Sequence, residues 1–142
     1  LGEGMTGISC REGSCTEEEK ETVRDIFSSC GRVEMVEERL MDAVGCVSGS
    51  SPAFVYMFIE ALADGGVKYG LPEKDCLCMA AQTVLGSAKM ILETGKHPGQ
   101  LRTRCVPRAA PPLAAYQLEE HGLRNALIKA ADACYEKTQS MK

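Results

Sequence analysis

The pattern of apolar and polar positions is clearest between Ser48 and Pro72, where the chain reads SGSSPAFVYMFIEALADGGVKYGLP. Polar side chains recur there at every fourth position and form one narrow stripe, composed of Tyr56, Glu60, Asp64 and Lys68. Almost all other positions are apolar or small. A helix that is apolar around most of its circumference needs neighbours on most sides. The segment is therefore predicted to be either an ordinary core helix or a helix that a second copy of the chain helps to bury.

The residues at the two ends of this segment predict where the helix begins and ends. Ser51 is predicted to cap the helix, and Pro52 to be its first residue, because the missing N–H of proline costs little there. Gly70 favours a left-handed stop, and Pro72 cannot continue the same helix.

Mixed elements are predicted before residue 37. A weak strand is expected at 5–10 and a strand edge at 32–36. Between them, Thr16 and Glu19 form a capping box that opens a helix ending near residue 29. Alternation of helix and strand is typical of α/β domains, so residues 1–36 are predicted to be a short α/β remnant.

Only helices are predicted from residue 37 onward, and they are joined by glycine and proline turns. The fold class is therefore mainly α, a helical bundle preceded by the α/β remnant. A long loop is predicted at 99–112. The predicted helices are 38–47, 52–70, 72–94, a short helix before His121, and 123–137.

Composition and charge exclude several classes of partner. The chain has 142 residues and a formal net charge of −4, and its basic residues are scattered. We expect no nucleic-acid partner, since no basic stripe is present. The start LGEGMTG has no secretory signal, and no segment approaches the roughly 18 unbroken apolar residues of a membrane span. A cytoplasmic protein with no membrane partner is expected.

The cysteine spacing predicts no metal site and no disulfide framework. Eight cysteines are present without a CxxC pair, and only His97 and His121 could join them as ligands. In a cytosolic protein such cysteines are expected to be reduced thiols.

Few residues indicate chemistry by themselves. The chain contains no GxGxxG and no P-loop, and GEGMTG is best explained as a glycine-rich turn. No Ser, Cys or His lies in a nucleophile motif. Glu37 and Glu38 open a predicted helix, where the helix dipole alone favours acidic residues. No catalytic residue can be assigned from these patterns.

Three longer strings resemble a known family: VEERLMDAVGCVSGSSPAFVYMFIEALADGGVKYGLP, AAQTVLGSAKMILETGKHPGQLR and LEEHGLRNALIKAA. They are similar to pyrroline-5-carboxylate reductase, and the resemblance extends from residue 2 to about residue 136. It implies that residues 1–36 are the end of a Rossmann dinucleotide-binding domain. Residues 37–142 would then be the helical dimerisation and substrate-binding domain, which forms a homodimer or a higher homo-oligomer.

The resemblance also implies an activity. The family reduces a small cyclic imine, 1-pyrroline-5-carboxylate, to L-proline in proline biosynthesis with hydride from NADPH or NADH. Glu38 matches an acid that faces the substrate in relatives, and a carboxylate there would hold the substrate nitrogen. The nucleotide-binding fingerprint is expected outside this chain, so the chain alone is expected to be inactive. No cofactor-binding residue is assigned within it.

Three departures from the family pattern weaken the expected activity. Gly45 stands where relatives commonly have a threonine or another small residue. Ser51 replaces the second glycine of the family string SGSGPA. More importantly, residues 102–112 read RTRCVPRAAPP where relatives have a loop ending VCSPGGTT, whose N–H groups hold the substrate carboxylate. Prolines remove such donors. The alternative function is therefore a non-catalytic helical oligomerisation protein, a decayed relative that still dimerises.

Compensating frameshifts would explain the altered loop. One codon choice for residues 106–112 spells SPGGTT in the adjacent frame, after which the family pattern resumes at LAAYQLEEHG. A loop that has truly diverged is the other explanation. The coding DNA separates the two, because codons that cannot be regrouped in this way rule out frameshifts.

Overall fold

A computed structural model describes residues 1–105 and 113–142 of the chain. The described residues group into two compact units, one formed by Leu1–Pro52 with Ile128–Lys142 and the other by Ala53–Leu127. The predicted mainly helical fold with a small α/β element at its start is confirmed. The predicted domain boundary between residues 36 and 37 stays a prediction.

The first unit begins with a strand–helix–strand element. Strand β1 (Gly4–Ile8) pairs in parallel with β2 (Gly31–Met35), and helix α1 (Glu17–Ser28) connects them. Gly4 faces Gly31 in the sheet register, and a Cβ atom at Gly31 would overlap the backbone of Gly4. Glycine is therefore required where the two strands begin.

Helix α1 begins at the predicted capping box. The Thr16 hydroxyl accepts the Glu19 N–H at 3.2 Å, and the Glu19 carboxylate accepts the Thr16 N–H at 2.8 Å. The Thr16 N–H and the Thr16 hydroxyl both donate to the Glu19 carboxylate, and these two bonds favour its ionised form and lower the pKa of Glu19. The helix start was thus predictable from two residues alone.

The chain is helical from Glu38 to Val67, without the predicted break before Pro52. A single 3₁₀ turn (Glu38–Leu40) leads into α2 (Met41–Val44), a π-helical turn (Gly45–Gly49) and α3 (Ser51–Val67). Pro52 has no N–H to donate to the carbonyl four residues earlier. Just before it, the backbone hydrogen bonds span five residues instead of four, and the Ser50 N–H donates to the Gly45 carbonyl at 3.0 Å. The prediction that Ser51 caps a new helix is wrong, because its hydroxyl donates to the Cys46 carbonyl at 2.9 Å.

Four further helices follow: α4 (Glu73–Thr94), α5 (Pro98–Cys105), α6 (Leu113–Glu120) and α7 (Leu123–Ser140). The predicted stop at Gly70 is confirmed by its positive φ of 94°, and Gly95, which follows the predicted helix 72–94, ends α4 with a positive φ of 62°. The loop predicted at 99–112 is wrong for its first part, which is helix α5. Residues 106–112 lie outside the described residues.

The core of the second unit is small. Ala63 on α3 and Cys76 and Ala80 on α4 are buried, and Ile59 packs against them. Gly66 completes this contact, since a Cβ atom there would lie 2.6 Å from the Cys76 sulfur. The two helices therefore pack through small side chains.

Replacing Gly66 with alanine is expected to destabilise this helix pair. Overpacking against a buried side chain costs about 1–3 kcal/mol of unfolding free energy, measured by chemical denaturation. Gly65 is the matched control, because a Cβ there meets no atom within 4 Å. Gly65→Ala should stabilise by up to about 1 kcal/mol through helix propensity. Introducing G66A into a Cys76→Ala background should remove most of its cost, and an unchanged cost there would contradict the assigned contact.

Beside the face of α3 that packs against α4 lies a second apolar stripe, formed by Val55, Phe58 and Leu62, which are 40–45% exposed. The predicted polar stripe at Tyr56, Glu60, Asp64 and Lys68 is exposed as well. Among the described residues, no large side chain is fully buried. The chain by itself thus covers only part of the apolar surface of α3.

Length and composition would allow the helical stretch Glu38–Val67 to cross a membrane, and 11% of its most apolar window is buried within the chain. This finding differs from the expectation that no segment is apolar enough. A helix that is buried against another protein passes the same test. The finding alone therefore carries little weight in favour of a membrane.

Candidate ligand site at the carboxyl edge of the sheet

Both parallel strands of the first unit end at the same edge of the sheet. The Val36 N–H, just after β2, donates to the carbonyl of Ile8, the last residue of β1, at 2.9 Å. Ligands of open parallel sheets bind outside the carboxyl ends of the strands. The segments that follow β1 and β2 are therefore the first place to look for a site.

The segment after β1 is a compact loop that is held by contacts between its own residues. The hydroxyl and the N–H of Ser14 both donate to the Arg11 carbonyl, at 2.7 and 3.0 Å. Cys10 and Cys15 form a disulfide across this turn. The expectation that all eight thiols are reduced is wrong for this pair, because the turn at residues 11–14 brings together two cysteines that are five residues apart.

The segment after β2 carries Glu38. Its neighbour Glu37 precedes the 3₁₀ turn and forms an ion pair with the Arg39 Nε at 2.6 Å. Glu38 is exposed, and within residues 1–105 and 113–142 it takes part in no ion pair. Its carboxylate is thus available to a ligand.

Arg11, Ser14 and Glu38 line one cavity of about 330 Å³. A guanidinium, a hydroxyl and a carboxylate thus meet at the carboxyl edge of the sheet. Of these three residues, only Glu38 was predicted from the sequence. Arg11 and Ser14 could have been indicated by the position of their loop directly after a predicted strand.

The end of α7 holds the short helix α2, which follows Glu38. The Asp42 carboxylate accepts hydrogen bonds from the side chains of Gln139 and Lys142, and the bond from Lys142 raises the pKa of that lysine. Cys46 is 5% exposed, and its burial raises the pKa of its thiol. The nearby Cys134 adds a smaller effect in the same direction. Cys46 is therefore a structural thiol rather than a nucleophile.

A separate cluster of charges joins α5, α6 and α7 in the second unit. Glu119 accepts hydrogen bonds from Arg124 at 2.7 Å and from Arg102 at 3.2 Å, and these bonds lower the pKa of its carboxyl group, mainly through Arg124. Arg102 begins the segment that departs from the family pattern, and the cluster gives it a structural role. The glycine-poor remainder, 106–112, lies outside the described residues.

The described residues do not fit a dinucleotide. In a βαβ unit the diphosphate group binds at the N-terminus of the helix, but α1 begins with Glu17, Glu18 and Glu19, and its Thr16 cap bonds the free Glu19 N–H. Carboxylates there repel phosphate. In the same part of the chain, no group of three or more His, Cys, Asp or Glu side chains is arranged to hold a metal.

The fold defines a class of protein in which a short parallel α/β element is followed along the chain by a series of helices with exposed apolar faces. A family model described as pyrroline-5-carboxylate reductase dimerisation matches residues 38–141. The chain belongs to the pyrroline-5-carboxylate reductase family.

Curated relatives agree with this assignment. The chain is 44% identical to a pyrroline-5-carboxylate reductase of Escherichia coli K12 over 97% of its length, and 43% identical to one of Glycine max over 91%. These alignments cover 51% and 47% of the relatives. The chain thus spans about half the length of the curated relatives that it matches.

Solved structures show the same fold. A pyrroline-5-carboxylate reductase from Coxiella burnetii superposes with a TM-score of 0.92 at 29% identity, covering 99% of this chain and 53% of that one. A Plasmodium falciparum pyrroline carboxylate reductase with NADP bound gives a TM-score of 0.85 at 33% identity, covering 99% and 56%. The resemblance found in the sequence is confirmed, and the alternative of a non-catalytic oligomerisation protein is not favoured.

Proposed function

We propose that this chain supplies the dimerisation and substrate-binding part of a reductase that converts 1-pyrroline-5-carboxylate into L-proline with hydride from NADPH or NADH. The observation that carries the proposal is the family match over residues 38–141 together with 44% identity to a reductase across 97% of the chain. The nucleotide site belongs to another part of the protein, because the described residues offer no diphosphate cradle. In this proposal residues 1–36 end the dinucleotide-binding domain and residues 37–142 form the helical domain.

Glu38 is the substrate-binding residue in this proposal. Its carboxylate lines the cavity and has no partner among the described side chains. A positively charged or N–H-bearing nitrogen would form a charge-assisted hydrogen bond with it. Reduction adds hydride to the imine carbon and a proton to the nitrogen, so the carboxylate stabilises the nitrogen as it becomes protonated.

The remaining apolar surface of α3 fits a second copy of the chain. The stripe formed by Val55, Phe58 and Leu62 is exposed within one chain, and the family model is that of a dimerisation domain. Burial of such a stripe in a symmetric homodimer would remove it from water in both copies. We propose a homodimer, or a larger assembly of dimers, located in the cytoplasm.

An activity assay tests the proposal. The protein that contains this chain together with a dinucleotide-binding domain should oxidise NADPH or NADH only when 1-pyrroline-5-carboxylate is present, with L-proline as the product. The 142-residue chain alone should show no turnover. A protein that binds the reduced nucleotide but leaves the imine unreduced would contradict the proposed function.

A further inference from the structure

We infer that Cys10 and Cys15 form a reversible thiol–disulfide switch that opens and closes the loop after β1. The two sulfurs lie at the ends of a turn whose middle carries Arg11 and Ser14, and both of these residues line the cavity beside Glu38. The redox state of the pair therefore sets the shape of one wall of the cavity. Because the switch concerns the covalent state of the loop, it goes beyond the proposed function and does not depend on it.

The pair differs from the other cysteines in its surroundings. Among the described residues, Cys10 and Cys15 are the only two cysteines that are bonded to each other. Both are partly exposed, whereas Cys46 and Cys76 are buried. A thiolate from solution must reach a sulfur atom to break a disulfide, and exposed disulfides are the ones that exchange readily. The Cys10–Cys15 bond is thus open to exchange.

The fold does not depend on this bond. The two cysteines are only five residues apart, and a cross-link over so short a segment restricts the unfolded chain less than one between distant elements. On either side of the turn, β1 is held by its pairing with β2, and α1 begins at its own capping box. The bond can therefore break while both neighbouring elements stay in place, which a switch requires.

Contacts inside the turn favour re-formation of the bond. The Ser14 hydroxyl lies 3.4 Å from the Cys15 sulfur and 3.7 Å from the Cys10 sulfur. The hydroxyl and the N–H of Ser14 also donate to the Arg11 carbonyl. These contacts hold the two cysteines near each other and raise the effective concentration of one thiol at the other. They are exposed to water, so the turn opens more often once the cross-link is gone.

The oxidant is a disulfide of small thiols, and glutathione disulfide is the probe. The thiolate of one cysteine attacks a sulfur of glutathione disulfide, and a mixed disulfide forms as one glutathione leaves. The thiolate of the second cysteine then attacks the protein sulfur of the mixed disulfide, and the other glutathione leaves. Two electrons pass from the protein thiols to glutathione disulfide, and the two thiol protons end on the two glutathione molecules. Excess glutathione reverses both steps.

Thiol blocking followed by peptide mass spectrometry measures the redox state. The intact 142-residue protein is equilibrated with glutathione and glutathione disulfide at a series of ratios, and free thiols are then alkylated. Cys10 and Cys15 should be alkylated together in reducing mixtures and protected together in oxidising ones. Cys15→Ser should leave Cys10 as a mixed disulfide with glutathione, because the second thiol is missing. Cys30→Ser, at an exposed cysteine outside the turn, should titrate as wild type.

Limited digestion with trypsin measures the opening of the loop. A protease cleaves exposed backbone that can extend into its active site, and Arg11 lies inside the closed turn. Cleavage after Arg11 should be about tenfold faster in the reduced protein, since proteolysis follows the population of the opened turn. Cleavage after Arg24, within α1, should not change. The double variant C10S/C15S should be cleaved at the reduced rate in both buffers. Samples are reduced after quenching so that cleaved chains separate.

Two results would overturn the switch. One is a wild-type protein in which Cys10 and Cys15 stay in the same state, bonded or unbonded, at every glutathione ratio. The other is a rate of cleavage after Arg11 that is equal in the oxidised and reduced protein. Neither result decides the proposed function, which the turnover assay tests separately. Reversible oxidation with redox-dependent cleavage would support the switch even in a protein without reductase activity.

Discussion

Leu62→Asp is expected to convert the assembled protein into monomers. Leu62 lies on the exposed apolar stripe of α3 with Val55 and Phe58, at the spacing that places all three on one face of a helix. In a symmetric dimer the new carboxylate would be buried twice. Each buried charge without a partner costs several kcal/mol, so the dissociation constant should rise by at least about a hundredfold. Analytical ultracentrifugation across a concentration series measures this change.

Tyr56→Asp is the control for this substitution. It places the same carboxylate on the same helix, but on the polar stripe with Glu60 and Asp64, where it would meet water. The assembly should persist with a dissociation constant close to that of wild type. The proposed dimer would be wrong if L62D assembled as wild type does, or if the wild-type chain remained a monomer at micromolar concentration.

Glu38→Gln is expected to cause the second large effect, on substrate and product affinity. The substitution keeps the size of the side chain but removes the charge that faces the ligand nitrogen. A hydrogen bond to a charged group contributes about 1.5–3 kcal/mol, so the dissociation constant of L-proline should rise about tenfold to a hundredfold. Binding of pyrrolidine, which has only the ring nitrogen, should be lost, and binding of cyclopentanecarboxylate, which has only the carboxylate, should be retained.

Glu37→Gln provides the matched control for Glu38. The Glu37 carboxylate is adjacent in the chain but pairs with the Arg39 Nε at 2.6 Å, and it does not line the cavity. An exposed ion pair contributes little, so affinity for the probes should stay within about twofold of wild type. Equal losses in both variants would mean that Glu38 acts through the local fold or the general field rather than by contact with the ligand.

Local chemistry made several elements predictable. The Thr16–Glu19 capping box, the left-handed glycines 70 and 95, and the periodicity of α3, α4 and α7 depend on contacts between residues close in sequence. Each could therefore be predicted without a tertiary structure. Glu38 was named through the family strings, and the structure places it beside a cavity, while its role in substrate binding stays a prediction.

Other features depend on competition between local preferences. Ser51 and Pro52 together favour a helix start, yet the helix already formed by the preceding residues continues through a π-helical turn. Continuation keeps most backbone hydrogen bonds, whereas a new start would leave several N–H groups without partners. The predicted loop at 99–112 is wrong for its first part, because residues 98–105 form α5, on which Arg102 pairs with Glu119 of α6.

The sequence by itself determined the helical character, the capped start of α1, the short α/β element and, through its ordered strings, the family. The tertiary structure decided which side chains meet. Arg11 and Glu38 are distant in sequence and follow different strands, and only the parallel pairing of β1 with β2 places them at one edge of the sheet. The partly covered face of α3 was decided in the same way, because its burial depends on which neighbours the fold brings to the helix and not on spacing along the chain.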